Sequence, residues 1–342
     1  MKKLLTYHLL FFCLLAVFLL PQKSLATEYD MEKIFYLPKY NAVKGVASLN
    51  KNWQKIDILA PQYHVVNSNF SISGGFGPKL KKAIKDYNLK VMPLIANANF
   101  KQSIMHNLLL SEKAQDKVIA YLAKGALTNG YIGWQFDFEN IGYRDRDLYS
   151  AFVEKTYKVF KEKGLILSVV AVARSVDYEN TNAFKNWSGV YDYKRLAVST
   201  DFISLMVYDD PESKGPVASL NFVDKTLNYV KDKIPAEKLS LGVPLYYWKW
   251  NTDTKKRLGS GLFSNIINIT ANFRHRMGFD KTLGASWLTY SYGNKNYAIW
   301  FEDKNSLEAR LEVITDNSLR GFSAWLLGGE DPAIWSLLSK SN

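Results

Sequence analysis

Eight short apolar runs, separated by stretches of helical character, limit what this chain can fold into. They are Ile34 to Leu37, Ile56 to Leu59, Val91 to Ala96, Tyr131 to Phe138, Leu165 to Val172, Phe202 to Tyr208, Leu239 to Leu245 and Gly321 to Leu327. Several are near-continuous in Val, Ile, Leu and aromatic residues, the pattern of parallel strands covered on both faces. Between them lie helix-type stretches: Pro78 to Tyr87, Ser111 to Asn129, Arg146 to Lys163, Val223 to Lys233 and Ser306 to Ile314. Eight strands alternating with helices predict an α/β fold, a closed (β/α)8 TIM barrel. The rhythm breaks between Tyr246 and Leu319. There Ala285 to Tyr292, the turn Gly293-Asn294-Lys295-Asn296 and Tyr297 to Glu302 read as an antiparallel hairpin, inside a small α+β insertion at about 248–303, before the seventh helix. In a barrel such an insertion stands on the C-terminal face and deepens one wall of a cleft.

Residues 1–26 are set apart. Lys2 and Lys3 precede a hydrophobic run from Leu9 to Leu20, followed by Pro21 and a Ser24-Leu25-Ala26 end, which reads as a secretory signal peptide cut after Ala26. The run falls short of the ~20 residues of a membrane span, so no stable anchor is expected once the segment is removed, and an uncleaved anchor is the alternative. The single cysteine, Cys13, lies inside it. The mature chain, 27–342, is then one domain without disulfide, thiol nucleophile or cysteine metal site. Its formal charge of +12 falls to +9 when Lys2, Lys3 and Lys23 leave. A basic exported protein is drawn to anionic envelope polymers, yet the lysines sit singly and suit a solvated surface equally well. Basic clusters interleaved with aromatics are absent, which argues against nucleic acid as a partner.

Within Gly133-Trp134-Gln135-Phe136-Asp137-Phe138-Glu139-Asn140, polar side chains alternate with aromatic ones. In an extended chain Gln135, Asp137 and Glu139 share one face, and the two acids lie roughly 7 Å apart along the strand. Burying an ionised carboxylate costs several kcal/mol unless it is paired, so such a strand places its acids in a cleft or at an exposed edge. The barrel frame favours the cleft, because these acids fall at the C-terminal end of strand four, where barrel enzymes keep reacting groups. His64, His106 and His275 lack metal-ligand spacing, so no metal and no cofactor is expected.

At these residues the chain resembles glycoside hydrolase family 18, the chitinase-like barrels. The family's strand-four motif Asp-Gly-x-Asp-x-Asp-x-Glu aligns with Ile132 to Glu139, keeping the glycine, the third acid and the glutamate, with Ile132 and Gln135 in place of the first two acids. Met206-Val207-Tyr208-Asp209, Leu241-Gly242-Val243-Pro244-Leu245-Tyr246 and Gly321-Phe322-Ser323-Ala324-Trp325 are similar to its strands six, seven and eight. Val91 to Asn97 and Ile299 to Asp303 resemble the branch found in bacterial spore and cell-wall glucosaminidases. The resemblance runs in register from about Ile34 to Trp335, and the order and spacing of the motifs make it specific.

The resemblance implies an exported, retaining β-glycosidase in which the 2-acetamido oxygen of the substrate is the nucleophile. Glu139 is then the general acid and base, Asp137 accepts from the acetamido N–H, and Tyr208 donates to the acetamido oxygen. Asp209 holds a sugar hydroxyl or the tyrosine, and Trp325 forms the floor under the reacting sugar. Tyr246 and Tyr36 line the cleft or merely pack, and Arg174 contacts substrate or Asp209, or makes a surface salt bridge. Tyr208 and Trp325 also suit an aromatic core, and Asp209 a turn. Gln135 is expected to donate to Asp137 without storing a proton, and Ile132 to shorten the polar network below. The expected partner is an N-acetylated polysaccharide or oligosaccharide, of peptidoglycan, chitin or N-glycan type. The expected location is secreted or periplasmic, and the expected state a monomer. Because Gln135 and Ile132 depart from the family, the rival reading is a carbohydrate-binding, non-hydrolytic protein on the same barrel.

Overall fold

The computed structural model describes residues 31–341; the signal-peptide reading of residues 1–26, with Cys13, lies outside them. Eight parallel strands close into a barrel: β1 (Glu32–Pro38), β2 (Ile58–Val66), β3 (Leu94–Asn97), β4 (Gly133–Phe136), β5 (Ile166–Val172), β6 (Phe202–Met206), β7 (Leu239–Pro244) and β8 (Gly321–Trp325). β1 pairs with β2 (Ile34 opposite Ile58) and with β8 (Glu32 opposite Gly321), which completes the ring. The strands are mostly apolar because both faces are covered, with Gln135 and a few serines among the buried polar exceptions. Ile34, Tyr36, Ile58, Ala60, Met92, Leu94, Val170 and Phe202 fill the interior. Phe35, Leu59, Ile95, Trp134, Phe136, Leu167, Ile203, Leu241 and Phe322 face the helices. One strand contact decides a residue type: a Cβ on Gly133 would stand 1.9 Å from the Ile166 carbonyl oxygen, so only glycine lets β4 lie against β5 here.

The ring of helices is α1 (Ala42–Asn52), α2 (Pro78–Asp86), α3 (Glu112–Asn129), α4 (Arg146–Glu162), α5 (Tyr193–Val198), α6 (Leu220–Val230) and α7 (Lys304–Asp316), with an additional helix Gln102–Leu109 before α3. The ends of α3 are written in sequence, since Ser111 caps the Ala114 N–H and the chain leaves through Gly130 at φ 67°. The sequence signals for α1 and α5 are weak. α1 has no side-chain cap and contains Gly45, and α5 is six residues long. β2 also differs from expectation, continuing through Pro61 to Val66 rather than ending at Leu59. Proline reads as a strand breaker because it lacks the ladder donor.

The insertion is a five-stranded antiparallel sheet, ordered Lys256–Gly261, Tyr247–Asn251, Lys295–Phe301, Ala285–Tyr292, His275–Asp280. Helix Phe263–Asn272 covers one face, packing Phe263, Ile266 and Ile269 against Tyr247, Leu288, Tyr290 and Ile299. Its link to the barrel is a buried hub. Arg310 of α7 donates to the carbonyls of Gly284 (3.0 Å) and Ala218 (2.8 Å) and pairs with Glu302 at 3.0 Å, both side chains almost without exposure.

Candidate active site

The C-terminal ends of the barrel strands and the insertion enclose a cleft of about 1260 Å³. Its centre is set by β4. The Asp137 N–H donates to Ile95 O at 2.9 Å, carrying the strand one residue beyond its regular end and leaving the carboxyl pointing along the barrel axis side with Gln135. Trp134, Phe136 and Phe138 take the opposite face; the Trp134 indole donates to Leu122 O (2.8 Å), and Phe136 stacks on Phe152 at 5.5 Å. Glu139 follows where β4 has ended. Asn97 holds its backbone from both sides, accepting from Glu139 N (3.1 Å) and donating to Glu139 O (3.0 Å).

Both acids hold their protons more tightly than ordinary carboxyls do. Burial raises the Asp137 carboxyl above the usual carboxylate range, against hydrogen bonds from Gln62 and Glu139 that stabilise its charge. Burial raises Glu139 further, reinforced by the charges of Asp137 and Asp209. Two carboxyls in this relation lose protons in steps that belong to the pair, and Glu139, raised further, is the one that keeps its proton longer as pH rises. Asp137 Oδ2 accepts from Gln62 Nε2 at 2.8 Å.

Tyr208 lines the cleft beside the pair, its ring edge-on to Tyr246 at 6.3 Å. Burial, and then the neighbouring Tyr36, Asp137 and Glu139, push its phenol far above the ordinary range and keep it a donor. Its seat requires a glycine on β7, since a Cβ on Gly242 would lie 2.5 Å from Leu205 O and 3.0 Å from the Tyr208 ring. Tyr246 donates to Asp209 Oδ1 at 2.7 Å, and Asp209 takes a left-handed backbone at φ 56°. Trp325 closes the base next to Tyr36, centroids 5.8 Å apart, and its peptide bond to Leu326 is cis.

One expected placement is corrected, and for Arg174 the salt-bridge alternative is the one observed. Gln135 does not reach Asp137: it lies one layer deeper, fully buried, and donates through Nε2 to Ser168 Oγ and Ser204 Oγ, each at 2.9 Å. Ser204, Ser323 and Ser240 continue this layer at 2.8 and 2.6 Å, and Tyr36 meets it from β1. The donor to Asp137 is Gln62, which comes from the part of β2 beyond Pro61. Arg174 is absent from the cleft lining. Its buried guanidinium lies 4.6 Å from the Tyr193 ring centroid, donates to the carbonyls of Ser188 and Tyr191, and pairs with Asp177 at 3.1 Å, which fixes the segment after β5. Sequence reasoning also passed over Asn97, Trp187, Trp248 and Arg257, all but Asn97 in the cleft wall. A polar residue ending an apolar run was the available signal for Asn97 and Gln62. Among the described residues no group of three or more His, Cys, Asp or Glu side chains is arranged to hold a metal ion.

This arrangement presents a proton donor and a fixed carboxylate side by side, with a phenol donor and an indole floor. It suits protonation of a leaving oxygen while a neighbouring positive charge is stabilised.

Comparison with known proteins agrees with this geometry. The family model described as Glycosyl hydrolases family 18 matches residues 33–330. The uncharacterized glycosylase YvbX of Bacillus subtilis (strain 168) is 24% identical over 304 residues, covering 86% of this chain and 87% of that protein. The cortical fragment-lytic enzyme of the same organism is 27% identical over 272 residues, 76% of this chain but 62% of its own length, so this chain spans less than two thirds of that relative. Among solved structures, the spore cortex-lytic enzyme SleL of Bacillus megaterium QM B1551 superposes with a TM-score of 0.80 at 23% identity, over 90% of this chain and 73% of that one. The chitinase of Chromobacterium violaceum ATCC 12472 gives 0.79 at 23% identity, over 90% and 97%.

Proposed function

The chain belongs to the glycosyl hydrolases of family 18, and from that premise we propose that it is an exported, retaining glycosidase that cuts N-acetylglucosamine-containing glycans by substrate-assisted catalysis. The observation that carries the reading is the Asp137–Glu139 pair, a buried and a half-buried acid at the end of strand four in one cleft with Tyr208 and Trp325. Glu139 protonates the glycosidic oxygen as the acetamido oxygen of the sugar attacks the anomeric carbon, and then takes a proton from the incoming water. Asp137, held by Gln62, accepts from the acetamido N–H and stabilises the positive charge of the cyclic intermediate. Tyr208 donates to the acetamido oxygen, Asp209, fixed by Tyr246, holds a sugar hydroxyl, and Trp325 packs under the pyranose. Gln135 and Tyr36 support the pair from below through the serine layer.

Peptidoglycan is the favoured substrate. The names of the relatives, a cortical fragment-lytic enzyme and a spore cortex-lytic enzyme, support it, as do the export signal and the basic charge. The cleft is complete within one chain, which supports action as a monomer. Release of new reducing ends from N-acetylated glycan strands tests the reading. Cleavage of the fully deacetylated strand at the same rate would remove the acetamido group from the mechanism. Binding of glycan by the protein with no cleavage at all would leave a carbohydrate-binding protein instead.

Two further results are expected. The rate should follow a bell in pH. Its acid limb reports Asp137, whose raised position means activity falls at a higher pH than an ordinary carboxylate would give, and its alkaline limb reports loss of the Glu139 proton. In Gln62→Leu the Asp137 charge loses the hydrogen bond that lowers its pKa. The acid limb then moves to still higher pH, and kcat falls by about tenfold. An unmoved limb would show that Gln62 has no hold on the acid during turnover.

A further inference from the structure

We propose that Arg257, seated on the Trp248 indole in the cleft wall, recognises a carboxylate on the glycan, so that the cleft selects strands whose sugars carry a carboxyalkyl ether over uncharged N-acetylated strands. This rests on the glycan-cleaving reading above and adds the feature by which the substrate is chosen.

The residues lining the cleft include four acids, Asp137, Glu139, Asp209 and Asp210, and a single cation, Arg257. An isolated positive charge among acids would ordinarily be drawn into an ion pair. Among the described residues no carboxylate lies within 4.0 Å of this guanidinium, and none of its N–H groups makes a protein hydrogen bond. Asp209 feels its charge, which pulls the carboxyl down against the effect of burial, but that acid is already held by Tyr246. The guanidinium Cζ sits 4.1 Å from the centroid of Trp248, a buried indole. Stacking engages the flat face of an arginine and leaves the N–H edge, a fork that matches a carboxylate with two parallel hydrogen bonds.

The seat itself is rigid. Trp248 packs edge-on against Trp250 at 6.1 Å, and the Trp250 indole donates to Gly215 O at 2.8 Å, which ties the insertion to the loop after β6. The strand carrying Arg257 pairs with Tyr247–Asn251, and its register shifts between Arg257 and Gly259. Such a bulge re-aims the side chains beside it. An anionic sugar substituent is repelled by the acids in the centre and stabilised at this one place, so the charge also sets the direction in which the strand lies. A neutral glycan can take only the weaker hydrogen bonds of hydroxyl and carbonyl oxygens from the free guanidinium, without the charge pairing and the fork.

The test compares three peptide-free substrates of equal length: glycan strands bearing lactyl-ether carboxylates, the same strands with the carboxylates reduced to alcohols, and N-acetylglucosamine oligomers. For the unaltered protein kcat/KM is expected to be highest on the carboxylated strand, with a KM that rises with salt. In Arg257→Gln the ratio of kcat/KM for the carboxylated over the reduced strand should fall about tenfold and the salt dependence should weaken. Arg257→Lys, a point charge without the fork, should keep the salt dependence and recover part of the ratio. An unchanged ratio in Arg257→Gln overturns the proposal. Should no glycan be cut, the catalytic reading fails, and calorimetric binding of the same strands to the protein and to Arg257→Gln decides the subsite separately. Loss of the preference for the carboxylated strand supports it, and equal preference overturns it.

Discussion

Glu139→Gln should lower hydrolysis of N-acetylated glycan by about 10³- to 10⁴-fold while binding of the uncut strand changes little. The loss is that of a positioned general acid, at the upper end of what such groups contribute. The glutamine amide keeps the shape of the carboxyl and still donates to Asp137, so the acetamido contact survives and the proton alone is lost. Appearance of reducing ends measures the first quantity, and calorimetry with the uncut oligomer the second. A variant that still cleaves within tenfold of the parent would move the acid role elsewhere. The same substitution has a stability consequence whose sign follows from burial. Glu139 has a folded pKa above its unfolded one, so its contribution is fully present below the unfolded value of about 4.3 and is lost as pH rises through the folded value. Glutamine does not ionise and avoids that loss. The melting temperature of Glu139→Gln should therefore exceed that of the parent by a margin that grows from acid to alkaline pH.

Arg310→Ala should destabilise the protein by about 3–5 kcal/mol, the usual effect of breaking a buried ion pair by removing one partner. The arginine is 1% exposed and its partner Glu302 5%, so there is no solvent to take over. Four acceptors lose their donor together: Gly284 O in the insertion, Ala218 O in the loop after β6, Ser306 O on α7 and the Glu302 carboxyl. Burial already raises Glu302, and without the cation that opposes this shift the group takes up a proton on folding. A drop of roughly 10 °C in melting temperature is expected, with a larger deficit at alkaline pH, where the lone carboxyl must shed its proton. Because the hub joins the insertion to the barrel, KM should also rise. A loss of under 1 kcal/mol would mean that the insertion holds its place without it.

The barrel was legible because its strands are buried on both faces and so read as plain apolar runs. The acids of β4 stood out for the same reason, as polar residues where hydrocarbon was expected. What stayed hidden had a physical cause in each instance. Pro61 masked the second half of β2 and with it Gln62, the donor to Asp137. Gln135 shares a face with Asp137 but sits a layer below it, and alternation gives the face without the depth. Arg174, near the end of β5, found backbone carbonyls and an aromatic ring before any ligand. Arg257 belongs to a mainly exposed strand of the insertion, whose lysines and arginines resemble any solvated turn until the sheet pairing brings one of them over Trp248.

The closure of the ring between Glu32 and Gly321 ties catalytic competence to the order in which the chain is made. The acids of β4 come before the middle of the sequence, whereas the three cleft-wall tryptophans, Trp187, Trp248 and Trp250, come later, and the indole floor later still, on the last barrel strand. β8 lies between β1 and β7 and brings Trp325 into the cleft that holds Asp137 and Glu139. The cleft around the two acids is therefore complete only with that strand.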